Sequence, residues 1–404
     1  MAGLGSTAAR GASGMLLAAL LVLTGCTAPG PSGPAQGQVQ QLLDSHARAL
    51  LDRDEAGYLA SLDPALVPAA RTEFARLGKI PLGGWSYRVT RVDPVGTGRA
   101  TATAELGYRI EGYDSGPATS SRVLDLVERD GRWYVAGDRP ADGGPEQLWQ
   151  QGEVTTVTGR RSLVLGVGQS RERLTEIADA ADRAVPAVDA AWPEHWAGRV
   201  VVIVPASVDA MGALLGAPAA SYKGIAAVTT GEVGGGPNAP ADRVIVNPEA
   251  YGVLGDFGRG FVLTHETTHV ATRTRTTAAT PVWLSEGFAD WAAYRGTGRT
   301  ATQAAPELAR AVRAGDTPAA LPDDKAFTFG GDADAMARAY ESGWLACELI
   351  ADEWGETELT DFYRAVGAHP QRDGAVEKAL KDVLDTTPEE FTARWRAYLG
   401  ERLG

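Results

Sequence analysis

Apolar and polar positions alternate in two different ways along the first third of the chain. Apolar residues recur at helical spacing from Val39 to about Asp54 and again from Pro68 to Leu77, which predicts two amphipathic helices. Period-two alternation then predicts four strands, expected at Trp85–Val92, Ala100–Tyr108, Arg122–Val127 and Trp133–Val135. Asp130-Gly131, between the last two strands, is typical of a tight hairpin turn. Helices followed by consecutive strands indicate an α+β unit.

The pattern changes after a loop rich in Pro, Gly and acidic residues at Asp138–Gly152, where we place a domain boundary. A hairpin, a long helix and three short strands are expected next, at Val154–Thr158, Ser162–Val167, Arg171–Trp192, Arg199–Val204, Gly224–Val228 and Arg243–Asn247. Beyond Asp256 nearly every segment has helical periodicity. The glycine-rich stretch Gly231–Gly236 lacks the Gly-Lys-Ser/Thr ending of a phosphate loop, so we expect a surface loop there. The predicted fold class is α+β, with a small sheet and a mostly helical C-terminal half in the second domain.

Composition narrows the possible functions. The 404 residues are 44% hydrophobic and carry a formal net charge of -13, with a pI near 5.0. The apolar fraction excludes disorder of the whole chain. The acidity argues against nucleic acid as a partner, because phosphate backbones are bound by clustered Lys and Arg. The two cysteines, Cys26 and Cys347, cannot form a disulfide framework, and the apolar neighbours of Cys347 predict a buried thiol.

The N-terminus has the pattern of an export signal. Met15–Leu23 is an apolar run of nine residues, which is too short for a bilayer span of about 20 residues and is typical of a signal peptide. Leu23-Thr24-Gly25-Cys26 resembles the lipobox of bacterial lipoproteins. That resemblance implies cleavage before Cys26, lipid on the cysteine, and a lipid-anchored protein on the extracytoplasmic face of the cell membrane. A plain secretory signal with an incidental cysteine is the alternative.

We therefore predict four segments along the chain. They are a lipoprotein signal peptide at 1–25, a Pro/Gly/Ser tether at 26–37, an α+β domain at 38–148 and a second domain at 149–404. By its order of elements alone, the 38–148 domain resembles the cone-shaped, nuclear-transport-factor-like fold. Such cones can hold a ligand. Because no polar constellation stands out in this part of the sequence, we expect a spacer or docking module instead.

One short motif carries chemistry. His265-Glu266-Thr267-Thr268-His269 is an H-E-x-x-H sequence inside an apolar helical run, and it contains two of the five histidines of the chain. Residues four apart lie one turn apart on one helix face, so both imidazoles can reach one zinc ion at about 2.0–2.1 Å. Glu266 projects beside them toward a reacting water. Two solvated histidines on an amphipathic helix are the weaker alternative, and the other three histidines are isolated.

A catalytic zinc has three protein ligands and one open position. No third histidine follows His269 at short range, so a carboxylate is expected as the third ligand. Glu286, in Trp283-Leu-Ser-Glu-Gly-Phe-Ala-Asp290, follows His269 by seventeen residues. The polar turn Thr274–Thr280 lets a second helix bring Glu286 back to the same metal. Asp290 lies one turn further along. It either accepts a hydrogen bond from a ligand imidazole and fixes its tautomer, or it is a solvated helix residue, and both interpretations stay open.

These two motifs together resemble the gluzincin metallopeptidases, and more closely their peptidase-MA-like group, over about residues 160–404. The resemblance implies one zinc ion on His265, His269 and Glu286, with Glu266 as general base. It implies a peptide or protein substrate. No glycine-rich exopeptidase signature precedes His265, which favours internal cleavage over amino-terminal trimming.

The same resemblance implies two further features. The family places a tyrosine on a later helix that donates to the transition-state oxyanion, and Tyr340 in Ala339-Tyr-Glu-Ser-Gly-Trp344 fits that place. A core tyrosine is the alternative. The family also keeps an edge strand that pairs with extended substrate before the metal helix, which corresponds here to Arg243–Asn247.

Three functional hypotheses follow. The first is a membrane-tethered zinc endopeptidase that uses the residues above. The second is a lipoprotein that binds a partner and retains the metal helix only as scaffold. The third is an enzyme whose site opens only after the N-terminal domain moves.

Overall fold

The computed structural model describes residues 34–230, 241–328 and 332–404. Its two sheets and many helices confirm the α+β fold class. The expected signal peptide, Cys26, most of the tether and the stretch Gly231–Gly236 lie outside the described residues, so they stay predictions. Within the described ranges, no helix combines the length and the apolar character that a bilayer crossing needs.

The N-terminal region packs three helices against a four-stranded antiparallel sheet, which we call sheet A. The helices are α1 (Gln36–Leu51), α2 (Glu55–Ala60) and α3 (Val67–Leu77), and the strands are β1 (Leu82–Gly96), β2 (Arg99–Ile110), β3 (Ala118–Arg129) and β4 (Arg132–Pro140), in that spatial order. The predicted hairpin turn is present, with positive φ at both Asp130 and Gly131, as a type I′ turn requires. The helix expected from Val39 to about Asp54 ends early, because Asp54 instead caps α2 by accepting from the Gly57 N–H.

A second sheet, which we call sheet B, follows. Its strands are β5 (Val154–Thr158), β6 (Ser162–Val167), β7 (Val200–Val204), β8 (Ala227–Thr230) and β9 (Arg243–Val246), in the spatial order β5-β6-β7-β9-β8. Strands β6, β7 and β9 run parallel, and β5 and β8 are antiparallel at the two edges. The prediction that Arg243–Asn247 is the edge strand is therefore wrong. Strand β9 lies inside the sheet, because β8 pairs along its outer side.

Helices occupy most of the remaining chain. They are α4 (Leu148–Gln151), α5 (Arg171–Ala191), α6 (Val208–Leu215), α7 (Pro248–Gly252), α8 (Asp256–Thr272), α9 (Val282–Tyr294), α10 (Ala301–Ala304), α11 (Pro306–Arg313), α12 (Ala333–Glu353), α13 (Glu356–Gly367), α14 (Ala375–Leu384) and α15 (Pro388–Leu403). Ser170 caps α5, since its side chain accepts from the Arg173 N–H. The free thiol of Cys347 is buried in the core of the C-terminal helices, as predicted.

Both faces of sheet B are covered, which explains its continuous apolar strands. On one face, Leu165, Ile203 and Ile245 join the core of the N-terminal region, and on the other, Val202 and Val244 pack against α5 and α8. The two regions therefore share one continuous core.

The loop expected at the boundary is partly built into that core. Strand β4 runs to Pro140, and the α4 residues Leu148 and Trp149 are buried. A second link is a buried ion pair, in which Arg243 of β9 donates to both carboxylate oxygens of Asp114 at 2.7 and 2.6 Å. The division at 148/149 stays a prediction about domains, and the two regions are held in contact by this ion pair and by the buried α4 residues.

Candidate metal centre

The H-E-x-x-H sequence lies in the second half of α8, and the second motif forms α9. The chain reverses between the two helices through a turn that hydrogen bonds to its own surroundings. Thr276 donates from its backbone N–H to the Thr272 carbonyl, and the Thr277 hydroxyl donates to the Gly367 carbonyl on α13. This reversal lays α9 along α8, as predicted from the polar turn.

Three side chains from the two helices converge on one point. The Nε2 atoms of His265 and His269 are 3.1 Å apart, and Glu286 Oε2 lies 3.2 Å from the first and 3.4 Å from the second. We call these three residues the His–Glu cluster. In the described part of the chain it is the one group of three or more His, Cys, Asp or Glu side chains close enough to share an ion. His46, His195 and His369 are not part of it.

The spacing of these three atoms fits a zinc ion. Ligands placed tetrahedrally at about 2.0–2.1 Å from zinc are about 3.3–3.4 Å from one another, and the observed separations of 3.1 to 3.4 Å match that value. Two imidazole nitrogens and one carboxylate are also a donor set that zinc accepts in catalytic sites. Three protein ligands leave one tetrahedral position open.

Asp290 is brought to the cluster and is not a solvated residue. It is buried, and its Oδ1 lies 2.7 Å from His265 Nδ1. Because a carboxylate accepts, His265 Nδ1 carries a proton, and Nε2 is the ring nitrogen that faces Glu286 and His269. Asp290 therefore contacts the His–Glu cluster through His265 and orients that ring.

The electrostatics of the cluster favour a bound cation. Burial opposes a charge on His265, but the hydrogen bonds to Asp290 and Glu286 outweigh it and hold the pKa of His265 well above its ordinary value. Burial likewise opposes ionisation of Glu286, but His269 and His265 hold the pKa of Glu286 below its usual range. The charged forms of both His265 and Glu286 are thus stabilised, and a positive charge then lies beside a carboxylate.

Glu266 lies on the same helix, one residue after the first histidine, and is held from sheet B. The Thr229 hydroxyl lies 2.7 Å from Glu266 Oε2 and 3.0 Å from the Glu266 carbonyl oxygen. Glu266 is 7% exposed, so this donor from β8 offsets part of the cost of burying its carboxylate. Edge strand β8 thereby fixes the position of the predicted base.

All of these groups open into one cavity of about 660 Å³, which we call the cluster cavity. Its lining residues lie between Ile225 and Trp344, so the N-terminal region contributes none of them. Tyr340 of α12 lines this cavity and packs against Phe327, with ring centroids 5.1 Å apart. Burial, followed by the negative charges of the site, raises the pKa of Tyr340, so its hydroxyl keeps its proton and can donate.

Two glycines let the helices that carry Glu286 and Tyr340 touch. A Cβ on Gly287 of α9 would lie 2.3 Å from the Gly343 carbonyl oxygen of α12, and a Cβ on Gly343 would lie 2.6 Å from the Trp283 carbonyl oxygen. Real Cβ atoms do not approach backbone that closely. Both glycines belong to the quoted motifs, so the motifs specify the helix crossing as well as the chemical groups.

Three residues near the site escaped the sequence analysis. Thr229 reaches Glu266 across 37 positions, and Tyr294 lines the cluster cavity while its hydroxyl donates to the Ala304 carbonyl. Glu341 accepts from the backbone N–H groups of Glu307 and Leu308 and so caps α11, and burial raises its pKa to about 7. Glu341 could have been suspected because it lies inside the Ala339–Trp344 motif, and Tyr294 because it follows Asp290 by one helical turn. No local signal marks Thr229, because the topology of sheet B places it.

Comparison with known proteins gives distant structural likenesses only. No protein-family model matches the chain, and no curated protein matches it by sequence. Among solved structures, the fold is similar to LTA4 hydrolase from yeast at 13% identity and a TM-score of 0.37, over 79% of this chain and 61% of that one. It is also similar to an M1 zinc metallopeptidase from Deinococcus radiodurans at 15% identity and a TM-score of 0.35, over 80% of this chain and 65% of that one. The chain thus spans less than two thirds of the length of these structures, and TM-scores this low transfer neither fold nor function.

Proposed function

We propose that this protein is a zinc-dependent peptidase of the gluzincin type that cleaves within peptide chains. The observation that carries the proposal is the His–Glu cluster, whose three ligand atoms are spaced for one zinc ion. A buried carboxylate, Glu266, and a protonated phenol, Tyr340, open into the same cavity. A zinc site, a base and an oxyanion donor in one cavity are the parts that metal-assisted hydrolysis needs.

Each residue then has a distinct task. His265, His269 and Glu286 would hold zinc, which as a Lewis acid makes water nucleophilic near neutral pH. The Glu266 carboxylate takes a proton from the attacking water and delivers it to the leaving amine. Tyr340 donates a hydrogen bond from its hydroxyl to the oxygen of the scissile carbonyl as negative charge develops there. Asp290 keeps the His265 ring in one tautomer throughout.

The substrate is recognised as an extended backbone. Strand β8 is an edge of sheet B, and its residues Ala227, Val228 and Thr229 line the cluster cavity. A peptide that adds to this edge by main-chain hydrogen bonds would pass beside Glu266. The edge role that the family resemblance implied is thus proposed for β8 instead of β9. Apolar lining residues, among them Phe261 and Trp344, favour an apolar substrate side chain near the scissile bond.

We also propose that lipid on Cys26 anchors the enzyme to the extracytoplasmic face of the cell membrane. Its support is the sequence Leu23-Thr24-Gly25-Cys26 alone. Replacement Cys26→Ala is expected to release the protein from the membrane fraction without changing activity. Retention of the Cys26→Ala variant in that fraction would contradict the anchor, and it would leave the peptidase proposal untouched.

The peptidase proposal is tested with Glu266→Gln on the full chain. The substitution keeps the size of the side chain and the zinc ligands, so we expect one zinc per chain in both proteins. Cleavage of an unfolded protein such as reduced casein should fall by about 10²–10⁴-fold, because proton transfer by the base is lost. Asp256→Asn, an exposed change at the start of the same helix, is the matched control and should leave the rate unchanged.

Two results would contradict the proposal. Equal cleavage by wild type and Glu266→Gln would exclude Glu266 as the base. Bound zinc without cleavage of any protein substrate by the wild type would instead support a binding lipoprotein that keeps its metal site as scaffold.

A further inference from the structure

A second cavity lies in the N-terminal region, between the helices α1–α3 and sheet A. Its volume is about 220 Å³, larger than the roughly 150 Å³ that suffices to hold a benzene molecule in an apolar protein interior. The aromatic side chains Tyr58, Trp85, Tyr87 and Trp149 form much of its wall, and aliphatic side chains form most of the rest. We call this space the N-terminal cavity. The size and the walls suit one ring or a short chain.

The N-terminal cavity is also lined by a charged side chain, Arg122, one of whose N–H groups lacks a hydrogen-bond partner among the described residues. Arg122 lies on β3 and is 1% exposed. Its Nε donates to Asp138 Oδ1 at 2.8 Å, but among the described residues its Nη1 has no hydrogen-bond partner. A buried guanidinium with an unpaired N–H group is costly. A bound group that accepts from Nη1 would remove that cost.

The charges around Arg122 restrict what that group can be. Glu73 of α3 and Asp138 of β4 also line the N-terminal cavity, so two carboxyl groups face one guanidinium. Burial raises the pKa of both carboxyl groups, the charge of Asp138 raises that of Glu73 further, and Arg122 acts against the rise in both. A ligand carboxylate would add a further negative charge to this set. A neutral oxygen acceptor on the ligand adds no charge. The carboxyl groups of Glu73 and Asp138 can in turn accept a hydrogen bond from an N–H or O–H group of the same ligand.

We propose that the N-terminal cavity binds a small neutral organic molecule, about one ring in size, whose polar end combines a carbonyl oxygen with an adjacent N–H donor, as in an amide or lactam. The carbonyl oxygen accepts from Arg122 Nη1, and the N–H group donates to Glu73 or Asp138. The apolar part lies among the aromatic walls. This proposal departs from the expectation of a spacer or docking module, which rested on the lack of a polar constellation in the sequence. The fold assembles such a constellation from residues far apart in the chain.

Benzamide is a probe that carries these features, and benzoate is its charged counterpart. We titrate each into the full chain by calorimetry, with zinc present. Benzamide is expected to bind with one site per chain and at least about tenfold more tightly than benzoate, which is about 1.4 kcal/mol. In Glu73→Gln, which removes one carboxyl group, the preference for benzamide over benzoate should shrink.

Two helix variants identify the site. Ala69 is exposed at the edge of the N-terminal cavity on α3, so Ala69→Leu should block entry and weaken benzamide binding by about tenfold or more. Ala75→Leu makes the same change on an exposed position of α3 outside the cavity lining and should leave binding unchanged. Both positions are exposed, so both variants are expected to fold, and equal melting temperatures check this.

Three results would overturn the proposal. They are no saturable binding of benzamide to the wild type, equal binding to Ala69→Leu, and tighter binding of benzoate than of benzamide. Peptidase activity does not enter this test, since the cluster cavity is lined by other residues.

Discussion

Burial affects two histidines in this protein in opposite ways. His46 lines the N-terminal cavity, and burial lowers its pKa to about 4, so it is neutral at neutral pH. His265 is buried as well, but the carboxylates of Asp290 and Glu286 hold its pKa well above the ordinary value. Burial alone therefore favours the neutral imidazole, whereas burial beside carboxylates favours the positively charged one. The second arrangement is the one suited to hold a metal ion.

The two cavities also differ in how the chain builds them. The His–Glu cluster with Glu266 and Asp290 comes from two consecutive helices and spans only residues 265–290. The ionisable groups His46, Glu73, Arg122 and Asp138 of the N-terminal cavity come from two helices and two strands, spread over more than 90 positions of the chain. A local arrangement leaves a motif in the sequence, and a dispersed one does not. The following predictions test whether the two regions depend on each other for stability and whether the residues of the cluster cavity have the roles proposed for them.

The largest effect is expected at the buried pair that joins the two regions. Arg243→Met leaves the Asp114 carboxylate buried without its partner, since the two side chains are 5% and 2% exposed. The free energy of unfolding should fall by about 3–5 kcal/mol, measured by urea denaturation. Arg88→Met removes an exposed pair with Glu105 and should cost at most about 1 kcal/mol. Similar losses in both variants would contradict a structural link at Arg243.

The next effect concerns a residue of the cluster cavity outside the two zinc motifs. Tyr340→Phe removes the proposed oxyanion donor, so kcat should fall by about 10²–10³-fold with little change in KM. Tyr294→Phe is the matched control in the same cavity, because its hydroxyl donates to the Ala304 carbonyl instead. If both variants lose activity equally, Tyr340 has no special part in the reaction.

The smallest effect tests the helix crossing beneath the His–Glu cluster. Gly287→Ala places a methyl group against the Gly343 carbonyl and must separate α9 from α12. We expect a loss of about 1–3 kcal/mol in the free energy of unfolding. Gly260→Ala on α8 meets open space and should stabilise the helix by up to about 1 kcal/mol. An unchanged melting temperature for Gly287→Ala would show that the crossing tolerates a larger residue.

Much of the cluster could be predicted because helical geometry is local. His265 and His269 follow from 3.6 residues per turn, and Glu286 follows from a polar turn between two helices. Sheet order is not local, and this is why β9 was expected at the edge and β8 was not. The antiparallel pairing of β8 outside β9 depends on contacts that neither strand encodes alone.

The N-terminal region shows the same limit. Its strands and the Asp130-Gly131 turn follow from alternation and turn chemistry, and the structure has them. The approach of Glu73 and Asp138 to Arg122 follows from helix packing on sheet A, which periodicity does not describe. Shared burial of Trp149 and Leu165 in one core likewise arises only when both sheets are formed.

The most direct test of the account is the zinc coordination shell, measured by X-ray absorption on the zinc-loaded full chain. We predict one zinc per chain with only nitrogen and oxygen donors at about 2.0–2.1 Å, and scattering from two imidazole rings that drops to one in His269→Ala but not in His195→Ala. Sulfur donors at about 2.3 Å, or an imidazole signal that His269→Ala leaves unchanged, would contradict the assignment of the His–Glu cluster as the catalytic metal site.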